Sequence, residues 1–220
     1  MASVLITGAN RGIGLALAEQ LQARGDQVIA VCRQASPELR ALDVRTEEGV
    51  DVTDGASIEG LMESLGGLRL DWLINNAGTM HRTFLGNMDY ESAMQQFMVN
   101  ALGPLRMTEA MLPLLKAGSK VGIVTSRMGS ISDNTSGGQY GYRMSKAAVN
   151  AAGVSLARDL APQAIAVALL HPGYVQTDMT SQHGNLTPAE SARGLIERME
   201  ALTLDSSGGF WHAEGQALPW

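Results

Sequence analysis

Short runs of Val, Ile and Leu alternate along this chain with longer segments in which apolar residues recur at helical spacing. This alternation is typical of strand–helix repeats, in which parallel strands form a sheet that helices cover on both faces. The pattern predicts strands at Ser3–Thr7, Gln27–Cys32, Val50–Val52, Asp71–Asn75, Lys120–Ser126, Ile165–His171 and Gly209–His212, and helices at Gly12–Arg24, Ser57–Leu65, Tyr90–Lys116, Tyr142–Leu160 and Pro188–Leu202. We therefore expect an α/β fold with a doubly wound parallel sheet of about seven strands.

Length and composition narrow the class of protein. A chain of 220 residues with 45% hydrophobic content can bury one core and is short for two, so we expect a single domain over residues 1–220. A net charge of -6 without a run of Lys or Arg argues against a surface that binds nucleic acid or anionic membranes. The single cysteine, Cys32, excludes an intramolecular disulfide and a multi-cysteine metal site, and the four histidines lack ligand spacing.

The N-terminus shows no targeting pattern. Met1 leads through Val4-Leu5-Ile6 directly into a glycine turn, without the basic segment or cleavage site of a signal peptide. No later apolar run approaches the roughly 20 residues that span a bilayer. We therefore expect a cytoplasmic protein whose partners are small molecules, with no bound metal.

A glycine-rich turn follows the first predicted strand and opens into a helix. Unpaired N–H groups and the positive helix end would meet there, which suits a pyrophosphate. The glycines have three residues and then one between them, whereas the common fingerprint has one and then two, and such a turn can also be a simple connection. Because this turn lies between a predicted strand and a predicted helix, it favours a dinucleotide cofactor. The residues that would hold the cofactor are Gly8, Asn10, Arg11, Gly12, Ile13 and Gly14.

Tyr142 and Lys146 lie four residues apart, so on a helix they share one face. A free tyrosine phenol titrates near about 10, and a neighbouring ammonium favours the phenolate. The other three tyrosines have methionine or aspartate at the same offset. The spacing alone is also that of an ordinary amphipathic helix face.

Pro104 lies inside the long helix predicted at Tyr90–Lys116. Because proline has no N–H, the carbonyl of Asn100, four residues earlier, loses its helical partner and the helix should kink. The kink could free the Asn100 carbonyl for a functional role, or it could serve packing alone.

With the glycine turn, Asn75-Asn76-Ala77-Gly78, Asn100, Ser126, the Tyr142–Lys146 pair and Pro172-Gly173 in this order, the chain resembles the short-chain dehydrogenase/reductase family over nearly its whole length. The resemblance implies a single Rossmann-type domain. The segment Ser126-Arg-Met-Gly-Ser and the closing Gly208-Gly209-Phe210-Trp211 are most similar to the carbonyl-reductase-like and C-factor-like members.

The resemblance also implies catalytic roles. Tyr142 would be the general acid/base, and Lys146 would lower the tyrosine pKa and bind the nicotinamide ribose. The Asn100 carbonyl would hold a water that links the lysine to solvent protons. Ser126 would hold the substrate oxygen at the end of a buried strand. It precedes the tyrosine by 16 residues, about three more than in many members, so Ser130 stays open as the alternative.

The predicted second strand ends in Cys32-Arg33, where NAD-binding folds usually carry an acidic residue. An arginine there, with Arg11, suits a 2'-phosphate, so we expect NADP(H), with NAD(H) as the alternative. Asp51-Val52 resembles the adenine-side pair of the family, and Asp43-Val44 competes with it. The resemblance adds further cofactor-binding residues, namely Asn76, Ala77, Gly78, Tyr142, Lys146, Pro172, Gly173, Val175 and Thr177.

These features predict an NADP(H)-dependent oxidoreductase that interconverts a small carbonyl compound and its alcohol. The alternative is a regulatory protein of the C-factor type that binds cofactor without essential turnover. A dehydratase or epimerase is disfavoured, because the chain lacks the length for a separate sugar-binding region. In the family, the helices matching those that carry Asn100 and Tyr142 form dimers or tetramers, so we expect a homo-oligomer.

Overall fold

Seven parallel strands form one sheet in the computed structural model, which describes residues 1–220. The strand order is β3-β2-β1-β4-β5-β6-β7, so the direction of winding reverses between β1 and β4. Ligands of such folds bind at this reversal, beyond the carboxyl ends of the strands. The prediction of a doubly wound parallel sheet is confirmed. The strands are β1 Ser3–Thr7, β2 Gln27–Val31, β3 Arg45–Glu47, β4 Leu70–Asn75, β5 Leu115–Val124, β6 Ala166–His171 and β7 Phe210–His212.

Helices cover both faces of the sheet because alternate strand residues point to opposite sides. Ile6 belongs to one apolar core, which includes residues of α1 and α7, whereas its neighbour Leu5 belongs to the other, which includes residues of α3, α5 and α6. No helix is both long and apolar enough to cross a membrane. The helices are α1 Gly12–Ala23, α2 Pro37–Arg40, α3 Gly55–Leu65, α4 Tyr90–Phe97, α5 Gly103–Met111, α6 Tyr140–Leu160 and α7 Pro188–Ala201.

The third strand lies earlier than predicted. Arg45–Glu47 pairs with β2, whereas the predicted segment Val50–Val52 is irregular. β3 is a short edge strand with partly exposed polar side chains, so it lacks the apolar pattern that marks a buried strand. Val50 and Val52 are buried without strand pairing, and their hydrophobicity misled the prediction.

The predicted helix at Tyr90–Lys116 is interrupted. A wide π-helical turn at Met98–Leu102 separates α4 from α5 and contains Asn100. The Gly103 N–H bonds the Met98 carbonyl, five residues back, and Pro104 has no N–H to donate to the Asn100 carbonyl. The interruption therefore lies where the sequence predicted a kink. The helical path ends before β5, so Lys116 belongs to a strand.

Candidate active site

The glycine turn after β1 packs tightly against the chain that follows β4. Gly8 and Gly12 have left-handed backbones, with φ of 66° and 54°. If Gly8 were replaced by a residue with a Cβ atom, that atom would lie 2.9 Å from the Ala77 Cα. A Cβ atom added at Gly14 would clash with the Gly8 carbonyl oxygen. Side chains at these positions would push the segments apart, so the glycines keep the backbone accessible beside the start of α1.

Hydrogen bonds from Thr7 and Asn76 join the carboxyl ends of β1 and β4. The buried Thr7 hydroxyl accepts from the N–H groups of Asn76 and Ala77, each at 3.0 Å. The Asn76 amide donates to the carbonyls of Thr7 and Gly8, at 3.0 and 3.2 Å. The predicted residues Asn76 and Ala77 therefore form one floor with the glycine turn, at the point where the strand order reverses.

Arg33 and Asp51 follow β2 and β3, at the carboxyl edge of the sheet that also carries this floor. Burial alone would raise the pKa of Asp51, but hydrogen bonds from the Thr53 N–H and hydroxyl, together with the charge of Arg33, hold it below its usual value. Arg33 itself is exposed beyond β2. Asp43 precedes β3 and is exposed, whereas Asp51 follows β3 at the carboxyl side of the sheet. This placement favours Asp51-Val52 over Asp43-Val44 as the match to the adenine-side pair of the family.

The segment after β6 approaches the glycine turn from the other side. The Thr177 methyl group would lie 3.3 Å from a Cβ on Gly12. Arg11 pairs with Asp178 at 3.3 Å, and both side chains are about two-thirds exposed, at 68% and 64%. Such an exposed pair stabilises little, so the Arg11 guanidinium can leave Asp178 at a small cost in free energy. Glycine turn, floor and Thr177 together form a cradle that fits a dinucleotide.

Tyr142, Lys146 and Ser126 form a buried cluster beside this cradle. Tyr142 and Lys146 share the inner face of α6, with the Lys146 Nζ 5.8 Å from the Tyr142 ring centroid. Nζ donates a hydrogen bond to the Val124 carbonyl at 2.9 Å. β5 ends at Val124, so Ser126 lies two residues beyond the strand and not at its end as predicted. Tyr142 and Ser126 are only 8% and 7% exposed.

Burial shifts the two titrating groups towards their neutral forms. It raises the pKa of Tyr142 to about 12, while the Ser126 hydroxyl beside the phenol acts in the opposite direction. Burial also lowers the pKa of Lys146 to about 8. The sequence led us to expect a lowered tyrosine pKa, but desolvation dominates and outweighs the hydrogen bond with Ser126. At neutral pH the phenol is therefore protonated, which is the form that can donate a proton.

The Asn100 side chain is fully used in holding the site together. Its Oδ1 accepts from the Thr79 N–H at 2.8 Å, and its Nδ2 donates to the Thr79 carbonyl at 2.8 Å and to the Ser145 hydroxyl at 3.0 Å. Ser145 in turn donates to the Tyr142 carbonyl at 2.8 Å. Sequence reasoning missed Thr79 and Ser145, although each directly adjoins a predicted motif. The Ser145 bond fixes α6 against the π-helical turn, and the Thr79 bonds fix the loop after β4 against the same turn.

The loop between β5 and α6 is fastened to α6 at two places. A Cβ on Gly129 would lie 2.8 Å from the Lys146 carbonyl oxygen, so the loop contacts the helix backbone directly. Arg143 donates to the carbonyls of Met128 and Gly137, each at 3.3 Å, and to the Ser136 hydroxyl at 2.8 Å. No sequence pattern marks Arg143, because its acceptors are mostly main-chain atoms of an irregular loop.

The two candidate serines have different surroundings. Ser126 lies beside the Tyr142 phenol, and its hydroxyl also accepts from the Met128 N–H at 3.1 Å. The Ser130 hydroxyl accepts from the Asp133 N–H at 3.2 Å and thus stabilises a turn of the loop. The geometry favours Ser126 as the donor to a substrate oxygen.

We expect Ser126→Ala to lower kcat about 100-fold, because a hydrogen bond to the developing oxyanion contributes most in the transition state. Ser130→Ala is the matched control and should retain kcat within about threefold, since it removes only a turn hydrogen bond. Steady-state kinetics of the two variants checks the assignment. Full turnover of Ser126→Ala with loss in Ser130→Ala would reverse it.

The chain is similar to known proteins in both sequence and fold. The family model of the short-chain dehydrogenases matches residues 2–186. The 1-hydroxy-2-glutathionyl-2-methyl-3-butene dehydrogenase of Rhodococcus sp. is 45% identical over 226 residues, covering 100% of both chains. The C-signal protein of Myxococcus xanthus is 47% identical over 154 residues, which cover 69% of this chain and 93% of that protein. The NADPH-bound carbonyl reductase from chicken fatty liver superposes with a TM-score of 0.90 at 30% identity, covering 100% of this chain and 99% of that one.

Proposed function

The chain belongs to the short-chain dehydrogenase family, and we propose that it is an NADP(H)-dependent oxidoreductase that interconverts a small carbonyl compound and its alcohol. The observation that carries this proposal is the buried cluster of Tyr142, Lys146 and Ser126 next to the glycine cradle. A protein that only bound a nucleotide would not need a buried phenol paired with a buried lysine.

In reduction, the nicotinamide would supply hydride at its C4 atom to the carbonyl carbon of the substrate. The Ser126 hydroxyl would donate a hydrogen bond to the carbonyl oxygen and hold it next to the Tyr142 phenol. Tyr142 would give its proton to that oxygen as negative charge develops there, and would take the proton back in oxidation. Lys146 would stabilise the phenolate left behind, because its Nζ lies 5.8 Å from the centre of the phenol ring.

The cofactor would lie along the carboxyl edge of the sheet. The backbone from Gly8 to Gly14 would hold the pyrophosphate at the start of α1. Asp51 and Val52 would lie against the adenine, and Arg33 would bind the 2'-phosphate. The solved carbonyl reductase from chicken liver is bound to NADPH, which supports this cofactor for the present chain. The nicotinamide end would contact Gly78, Val175 and Thr177.

We expect Arg33→Gln to raise KM for NADPH at least about tenfold and to leave KM for NADH nearly unchanged, because only the former carries the 2'-phosphate. Arg158→Gln is the matched control, since Arg158 is an exposed arginine on the last turn of α6. Initial rates with both cofactors give KM for NADPH and KM for NADH in the wild-type protein and in each variant. An equal or lower KM for NADH in the wild-type protein would contradict the preference for NADP(H).

The decisive experiment is a substrate screen followed by NADPH absorbance. Aldehydes, ketones and quinones test the reductive direction, and alcohols with NADP+ test the oxidative one. The Rhodococcus relative is named for an alcohol that carries a glutathionyl group, so an alcohol of this class belongs in the screen. Turnover that depends on Tyr142 supports the proposal, whereas cofactor binding without turnover on any of these classes argues against it.

A regulatory role is the second candidate, and the similarity to the C-signal protein favours it. In that case the chain would bind NADP(H) and act through its surface, and the phenol of Tyr142 would be dispensable. The two candidates differ in whether the biological effect needs Tyr142.

We also propose that the protein forms a homo-oligomer through α4, α5 and α6. Large apolar side chains lie exposed along these helices, among them Met94, Phe97, Leu105 and Met144. Large apolar side chains that are exposed on neighbouring helices favour association, which supports this proposal. Sedimentation velocity should show a dimer or tetramer at micromolar concentration, and a monomer throughout would contradict the proposal.

A further inference from the structure

The helix that carries Tyr142 is capped by a residue from another part of the chain. α6 begins at Tyr140, and Gln139 before it has a left-handed backbone and supplies no side-chain cap. The first N–H groups of a helix lack helical partners, and a Ser, Thr, Asp or Asn at the preceding position usually accepts one of them. In this protein the Thr83 hydroxyl accepts from the Gly141 N–H at 3.1 Å. The Thr83 carbonyl accepts from the Gln139 N–H at 2.9 Å.

The same turn of α6 is packed closely on α4. A Cβ on Gly141 would lie 2.9 Å from the Ala93 Cα and 2.7 Å from the Gln96 Nε2. Gln96 is fully buried, and its Oε1 accepts from the His81 N–H at 3.0 Å. The loop from Gly78 to Thr83, α4 and the start of α6 thus meet at one point. Thr83 is fully buried there, so water cannot replace its hydroxyl.

We propose that Thr83 is a positioning residue for Tyr142. Tyr142 lies in the first turn of α6, directly after Gly141, and first turns fray when their N–H groups lack acceptors. The Thr83 hydroxyl holds this turn, and with it the phenol oxygen, at a fixed position beside Ser126. The inference rests on the proposed function in one respect, namely the role of Tyr142 in proton transfer.

Comparison of Thr83→Val with Thr83→Ser separates the effect of the hydroxyl from the effect of side-chain shape. Valine removes the acceptor, and we expect kcat to fall about tenfold with KM for NADPH unchanged within about twofold, since a cap of this kind contributes at this level. Serine restores the acceptor and should recover kcat to within about twofold. Hydrogen exchange should show the amides of Gly141 and Tyr142 opening about tenfold faster in Thr83→Val and at the wild-type rate in Thr83→Ser.

Thr187→Val is the matched control. The Thr187 hydroxyl caps α7 by accepting from the Glu190 N–H at 3.2 Å, and α7 carries no proposed site residue. This variant should lose stability without losing kcat. Full kcat in Thr83→Val, or an equal loss in Thr187→Val, overturns the proposal. If the wild-type protein turns over no carbonyl or alcohol, the proposed function fails, but amide exchange still tests the role of Thr83. Unchanged exchange at Gly141 and Tyr142 in Thr83→Val overturns that role. Faster exchange at these amides supports it.

Discussion

Tyr142→Phe is expected to lower kcat about 1000-fold while leaving the affinity for NADPH within about threefold of the wild-type value. The phenol lies beside Ser126 and is protonated at neutral pH, because burial raises its pKa to about 12. General acid catalysis by a positioned group contributes about 100- to 10,000-fold. Phenylalanine keeps the buried ring and removes only the proton donor, so kcat should fall without unfolding. Single-turnover kinetics and a cofactor titration measure the two quantities.

Tyr140→Phe is the matched control, because Tyr140 lies on the first turn of the same helix and is 37% exposed. This variant should retain kcat within about twofold. Turnover by Tyr142→Phe at the wild-type rate would contradict the role of the phenol. The same variant separates the two candidate functions: a biological effect that survives the loss of the hydroxyl would favour the regulatory role over catalysis.

Most of the fold could be predicted because its buried strands carry a strong signal. β1 lies at Ser3–Thr7, as predicted, because it is a short apolar run that ends in a glycine turn. β3 was placed wrongly because Arg45–Glu47 is a polar edge strand whose pairing depends on β2 and not on its own side chains. Local pattern thus locates strands with apolar residues, including the edge strand β7, and it misses a polar strand such as β3.

In the candidate site, too, local sequence patterns predict some features and miss those that depend on tertiary contacts. Tyr142 and Lys146 could be paired from spacing alone, since a helix fixes which residues share a face. The contacts of Thr79 with Asn100 and of Thr83 with Gly141 join residues 21 and 58 positions apart, and no local pattern encodes them. The direction of the Tyr142 pKa shift was also beyond the sequence, because it depends on how deeply the phenol is buried.

Lys146→Met is expected to lower kcat about 100-fold and to make the folded protein more stable at pH 7. Burial lowers the pKa of Lys146 from 10.5 to about 8, so at pH 7 the fold carries a buried ammonium at a cost of roughly 3 kcal/mol. Methionine fills a similar volume without charge. The variant also loses the hydrogen bond to the Val124 carbonyl, and this loss cancels about 1 kcal/mol of the gain in stability. The net gain in the free energy of unfolding should be about 1 to 2 kcal/mol.

The pH dependence of this gain identifies its origin. As the pH rises from about 8 towards 10.5, folded Lys146 loses its proton while the unfolded chain keeps it, so the wild-type protein becomes more stable. The advantage of Lys146→Met should therefore shrink between pH 7 and pH 9.5 in urea unfolding experiments. Lys116→Met is the matched control, because Lys116 is half exposed and pairs with Asp71, and its loss should change neither kcat nor this pH profile. A Lys146→Met protein that is less stable than wild type at pH 7 would show that the buried ammonium is not costly. Wild-type turnover of this variant would show that the ammonium is not needed.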